Sequence, residues 1–189
     1  MPPIRRALTH LITLCVLGVT TTTATASTLK VDGKPKVTFF AMGSPSFLNI
    51  EGTTTTLSLG DDGTTLQFTV PMKTVDSGIA RRDQHMRDKY VHVETTPDAM
   101  IVFNKNDIAW PAEGAKDALG KVTGTFEVRG IAQPAEITYQ VSRTKRGYRV
   151  KAQFHYDCTK HNITIENYMG ITIDPKMYAV VNVDLIDVP

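Results

Sequence analysis

TVDSGIARRDQHMRDKY, residues 74–90, is the one sustained stretch at which the alternation of this chain stops. Before it, Leu66, Phe68, Val70 and Met72 occupy every second position; after it, Ala99, Ile101 and Phe103 do the same. That period of two belongs to strands with one buried face. Within the interruption, Asp76 or Ser77 can open a turn and Gly78 relaxes the backbone. Residues 81–90 are good helix formers, and they set Met86 and Tyr90 four apart on one face. The pattern predicts a short helix placed as a plug at the mouth of a sheet. The plainer alternative is a surface helix whose Met86 and Tyr90 cap an ordinary core.

The N-terminus reads as an export signal. Arg5 and Arg6 precede an apolar run over residues 7–19, and Ala24-Thr25-Ala26 offers small residues where a signal peptidase cuts. The run is shorter than the roughly 20 apolar residues of a spanning helix, and Cys15 within it lacks a lipoprotein context. Residues 1–26 are therefore expected to be a cleaved signal peptide, leaving 27–189 as a single domain in the periplasm. Loss of Arg5 and Arg6 brings lysine plus arginine level with aspartate plus glutamate at 19. That balance gives no footing for nucleic acid. Cys158 is the only thiol after cleavage, so no internal disulfide can form.

Outward from the central stretch, the alternation recurs. Residues 37–42 form a strand that starts at Val37, and residues 47–50 and 53–59 form extended pieces bent at Glu51-Gly52. Gly60-Asp61-Asp62-Gly63 is a hairpin turn before the strand 64–72. Residues 107–120 form a loop whose Trp110 covers a core edge. Val122, Gly124, Phe126 and Val128 mark the next strand, residues 130–134 a turn ending in Pro134, and Ile137, Tyr139 and Val141 one strand face. Tyr148, Val150, Ala152, Phe154 and Tyr156 line the most amphipathic strand, which breaks at residues 157–162; residues 169–174 are extended, and residues 178–186 close the chain. About eight strands without βαβ spacing predict an all-β antiparallel barrel or sandwich. Large and small inward residues alternate, which suits either an apolar cavity or an interdigitated core.

Few residues offer chemistry. His155, Asp157, Cys158 and His161 are the best candidates for a metal- or thiol-dependent enzyme, although no paired Cys-x-x-Cys or His-x-x-x-His supports them. Asp83 and His85, two apart on a helix, do not face each other and read as a solvated face. Asp83 with Arg82 or Arg81 can also fix the helix to a strand end. There is no Gly-x-Ser-x-Gly elbow, phosphate loop or dinucleotide fingerprint.

The stretch from Ser77-Gly78 through Arg82-Asp83, His85-Met86 and Pro97-Ala99 to Phe103 resembles the turn, short helix and strand of the YceI-like family. Further similarity follows in order. Residues 37–41 resemble its opening strand, Ile50-Glu51-Gly52-Thr53 its bend, residues 66–71 the strand before the turn, residues 122–131 its "vxGxLtlhGv" element, and residues 168–173 its "ylGixv" segment. Arg129 stands where a histidine is usual, and Tyr156-Asp157-Cys158 matches the "dfG" stretch only loosely. The resemblance implies an elongated lipocalin-like β-barrel with a helix near its mouth, binding a polyisoprenoid, an isoprenoid quinone or another long-chain amphiphile, without catalysis or further cofactor. Residues expected to line the tube are Val37, Phe39, Ala41, Leu66, Phe68, Val70, Ile101, Phe103, Phe126, Val128, Tyr139, Val150 and Phe154, with Met86 and Tyr90 at its lid. A transient membrane or quinone-linked membrane-protein partner would suit such a carrier. A filled barrel serving as a stress-related interaction module is the remaining alternative.

Overall fold

The computed structural model describes residues 27–44, 48–167 and 170–188. The expected signal peptide, Phe47 at the start of the 47–50 strand, and Tyr168 and Met169 of the C-terminal motif lie outside the described residues. The strands are β1 (Thr28–Ala41), β2 (Gly43–Ser44), β3 (Ile50–Thr54), β4 (Ser58–Asp61), β5 (Thr65–Pro71), β6 (Asp98–Asn104), β7 (Ala118–Val128), β8 (Ile131–Arg143), β9 (Gly147–Asp157), β10 (Thr172–Ile173) and β11 (Lys176–Val188). One antiparallel nine-stranded sheet runs β3-β1-β11-β9-β8-β7-β6-β5-β4, and β10 pairs with β2 beside it. The long β1–β11 and β9–β11 ladders set the first and last long strands side by side, next to the edge strand β3.

The sheet curls until its edge strand β4 reaches the start of β1. Asp61, at the end of β4, accepts the Leu29 N–H at 2.7 Å and the Lys105 ammonium at 2.7 Å. Lys105 also donates to the Ser27 carbonyl at 2.9 Å. The Asp61 side chain is 1% exposed and that of Lys105 16%. Burial alone would raise the Asp61 carboxyl, but the Lys105 hydrogen bond and the Leu29 and Gly63 amides outweigh it and hold the group below the usual carboxylate range. This latch draws the half-barrel together where no ladder does. A strongly curled lipocalin-type antiparallel sheet with one short α-helix is thus the architecture of the described residues.

Local details differ from the sequence expectations for identifiable reasons. β1 begins at Thr28 rather than Val37, because a bulge between Asp32 and Lys36, with Gly33 at φ 71, interrupts the alternation without ending the strand. Gly52 is not a bend but lies within β3 opposite Phe39. A Cβ there would sit 2.9 Å from a Val75 methyl, so glycine permits the close approach of the segment before the helix. The turn expected at residues 130–134 is the tighter pair Arg129-Gly130, both left-handed at φ 55 and 69. Pro134 is already in β8, paired with Thr125; the β9 ladder starts only at Ile137, so its missing N–H breaks nothing.

The predicted helix is present as α1 (Ala80–His85), continuing as a π-helical turn over Met86–Val91 that left-handed His92 terminates at φ 57. It covers the end of the curled sheet where β5 leads out and β6 enters. The opposite end is closed by residues 105–117. There the Trp110 indole packs on Tyr148 at 4.8 Å and donates to the Lys105 carbonyl at 3.0 Å, and the Ala109 N–H donates to the Tyr139 hydroxyl at 3.0 Å. Trp110 covers a core edge as expected.

Candidate functional site

The interior is divided into a nearly solid half and a hollow half. At the Trp110 end, side chains leave an apolar void of about 50 Å³. At the helix end they leave a cavity of about 600 Å³. An aromatic partition separates them. Phe126 and Tyr156 face the large cavity, and Phe154 behind them faces the small void; the Phe126 ring lies 4.9 Å from both Phe154 and Tyr156. Burial against these rings pushes the Tyr156 phenol strongly upward, with nearby Cys158 adding to it, so this tyrosine stays neutral.

The residues expected to line a single tube fall into three groups. Phe39, Ala41, Met86, Tyr90, Phe126 and Val128 border the large cavity. Leu66, Phe68, Ile101, Phe103, Tyr139, Val150 and Phe154 border the small void. Val37 and Val70 are buried in the surrounding core and border neither space.

Much of the cavity wall comes from elsewhere. Met72 and Val75 lead into the helix, while Ile163, Ile165, Ile171 and Ile173 come from the irregular segment after β9, whose end pairs with β2. The signal for that last wall was present in the sequence. Isoleucines at 163 and 165, and again at 171 and 173, keep the period of two of a one-sided apolar surface without forming a long strand.

The cavity rim is polar at the helix. Asp83 is 6% exposed rather than solvated, because its carboxylate turns back to accept the Ser77 N–H at 3.1 Å and the Ser77 hydroxyl. The Arg82 guanidinium donates to the Ser77 hydroxyl at 2.7 Å and to its carbonyl at 2.5 Å. Arg87 adds a hydrogen bond to the Val75 carbonyl at 3.1 Å. The helix, too short to stand alone, is thereby tied to the chain entering it. Asp83 with Arg82 fixes it, as one sequence reading had it.

The proposed metal or thiol group is dispersed. His155 is exposed and lies against the Tyr178 ring at 5.5 Å. Asp157 caps the following turn, accepting the Thr159 hydroxyl at 2.6 Å and its N–H at 3.0 Å, and both bonds lower its carboxyl. His161 is buried, holds the Ile131 carbonyl at 2.8 Å through Nδ1 and packs on Phe126. Cys158 is buried in the cavity wall, where desolvation first and the Asp157 charge second push its thiol up to about 11, the reverse of an activated thiolate. Among the described residues no three metal-ligating side chains converge.

Two solved structures share the fold. A polyisoprenoid binding domain from Saccharophagus degradans implicated in plant cell wall breakdown superimposes with a TM-score of 0.68 at 14% identity, covering 85% of this chain and 98% of that one. Burkholderia cenocepacia BcnA gives a TM-score of 0.64 at 17% identity over 82% of this chain and 98% of its own. No curated protein matches the sequence. The profile of the YceI-like domain matches residues 20–185, and the chain belongs to that family.

Proposed function

We propose that this protein is a carrier that holds a polyisoprenoid, an isoprenoid quinone or another long-chain amphiphile in the cavity beneath the helix. The observation that carries the reading is the cavity itself. Its volume of about 600 Å³ falls within the usual range for small-molecule sites, and its wall is apolar except at the helix rim. Kinship with a polyisoprenoid binding domain of the same fold supports the ligand class. Each methylene taken out of water is worth about 0.8 kcal/mol. Ten buried carbons would therefore supply roughly 8 kcal/mol without a strong polar contact. Such a chain cannot cross an aqueous compartment exposed, and a dry cavity is a sufficient shield. The export signal expected at residues 1–26 and the single domain expected over residues 27–189 fit a periplasmic carrier that exchanges its cargo with a membrane or a quinone-linked membrane protein.

Lipid extraction of protein purified from a membrane-rich host, followed by mass spectrometry, tests this. A long-chain amphiphile in near-stoichiometric amount is the expected result. Consistent absence of one, together with failure to take up polyprenyl probes, would contradict the proposal.

A further inference from the structure

The polar groups at the cavity rim differ in whether the protein already uses them. Ser77, Arg82 and Asp83 satisfy one another. Arg87 and Arg129 hold backbone carbonyls, and Arg143, Arg146 and Arg149 pair with Asp187, Asp32 and Asp184. Arg81 alone among the described arginines has neither a hydrogen bond nor an ion pair. It borders the cavity, and so does His85 one turn further on. Arg81, His85 and Lys89 follow at four-residue steps and share a surface depression on the outer side of the helix. His85 and Lys89 likewise have no side-chain partner among the described residues. The acid in that depression is Asp88, and the carboxylate of Asp83 is turned inward onto Ser77. Two unspent cations, Arg81 and Lys89, with the His85 imidazole between them, thus meet the opening of an apolar cavity, the charge pattern that an anionic amphiphile presents in reverse.

We infer that Arg81, assisted by His85 and Lys89, binds an anionic head group, phosphate or carboxylate, on the amphiphile whose chain occupies the cavity. This rests on the carrier reading above and narrows its ligand class from neutral prenols and quinones to charged amphiphiles. A guanidinium suits the role because its planar fork matches paired oxygens. The low-dielectric cavity wall beside it weakens competition from water.

Equilibrium binding of three probes with one C20 chain separates the two ideas: geranylgeranyl phosphate, geranylgeranoic acid and geranylgeraniol, each below its micelle-forming concentration. The expected result is a preference for the anionic probes over the alcohol on the order of tenfold, shrinking as salt rises from about 0.1 M to about 1 M. The preference, taken as a ratio within each variant, should vanish in Arg81→Gln, persist in part in Arg81→Lys, and fall a few-fold in Lys89→Gln. Equal affinity for all three probes, or a preference unchanged in Arg81→Gln, would overturn the head-group assignment and leave the carrier reading standing. Failure of every probe to bind would remove both.

Discussion

The two halves of this barrel share strands β7, β9 and β11 and differ in what completes the wall and in what is placed inside. In the Trp110 half, rings from neighbouring strands meet: Phe68 lies 6.0 Å from Phe103 and Trp110 4.8 Å from Tyr148, leaving about 50 Å³ empty. In the helix half, β7, β9 and β11 are joined by β1 and β3, but the rest of the wall is a short helix tied by hydrogen bonds and an irregular isoleucine-rich segment, and about 600 Å³ stays open. The difference assigns separate tasks. Close packing stabilises one end, so that the other can carry apolar surface with nothing opposite it. Residues of the solid half should govern stability, and residues of the hollow half affinity.

The sharpest way to break this division is to damage the solid half. Leu66 is fully buried beside the small void. Leu66→Ala should cost about 2–5 kcal/mol in urea unfolding, and a loss below about 1 kcal/mol would show that this end is not the stabilising one. Next is the Asp61 latch. Asp61→Ala should cost about 2 kcal/mol at neutral pH, since it removes charge-assisted hydrogen bonds to Leu29 and Lys105. The pH dependence has a definite sign. The carboxyl is held below its unfolded value of about 3.9, so its stabilisation is complete above that pH and is lost as pH falls through the lower folded-state value. Urea midpoints at pH 7 and pH 3 should therefore converge between wild type and variant, and parallel curves would refute the latch. The smallest stability effect belongs to the hollow half. Ile165→Ala should change unfolding by less than about 1 kcal/mol, because Ile165 is half-buried. It should nonetheless weaken polyprenyl binding on the order of tenfold. The opposite pattern, large in stability and absent in binding, would erase the distinction.

The sequence made the solid half legible and the hollow half only partly so. Alternation places Leu66, Phe68, Val70, Ile101, Phe103 and Phe154 inside, because strands with one buried face write their orientation into every second residue. It does not reveal whether inward side chains meet. That depends on the curl of the sheet and on what closes each end, so one continuous tube and a divided interior produce the same pattern. Helical spacing does not choose between a solvated Asp83 and one that fixes the helix, for a related reason. The Asp83 partner Ser77 lies six residues away across a turn, outside the spacing rules of a regular helix. The family's ordered motifs identified the turn before the helix without indicating that Ser77, Arg82 and Asp83 use one another there.

Methyl resonances offer the most direct test of where the chain goes. With Met72, Met86, Met177, Ile163 and Ile165 reporting on the large cavity and Leu66, Val141 and Val183 on the small void, a polyprenyl probe can be titrated into lipid-stripped protein. Shifts confined to the first set are predicted, with the second set unmoved. Equal shifts in both sets would mean that the partition of Phe126, Phe154 and Tyr156 opens to a full-length tube, and no shifts in either would mean that the hollow is not a lipid site.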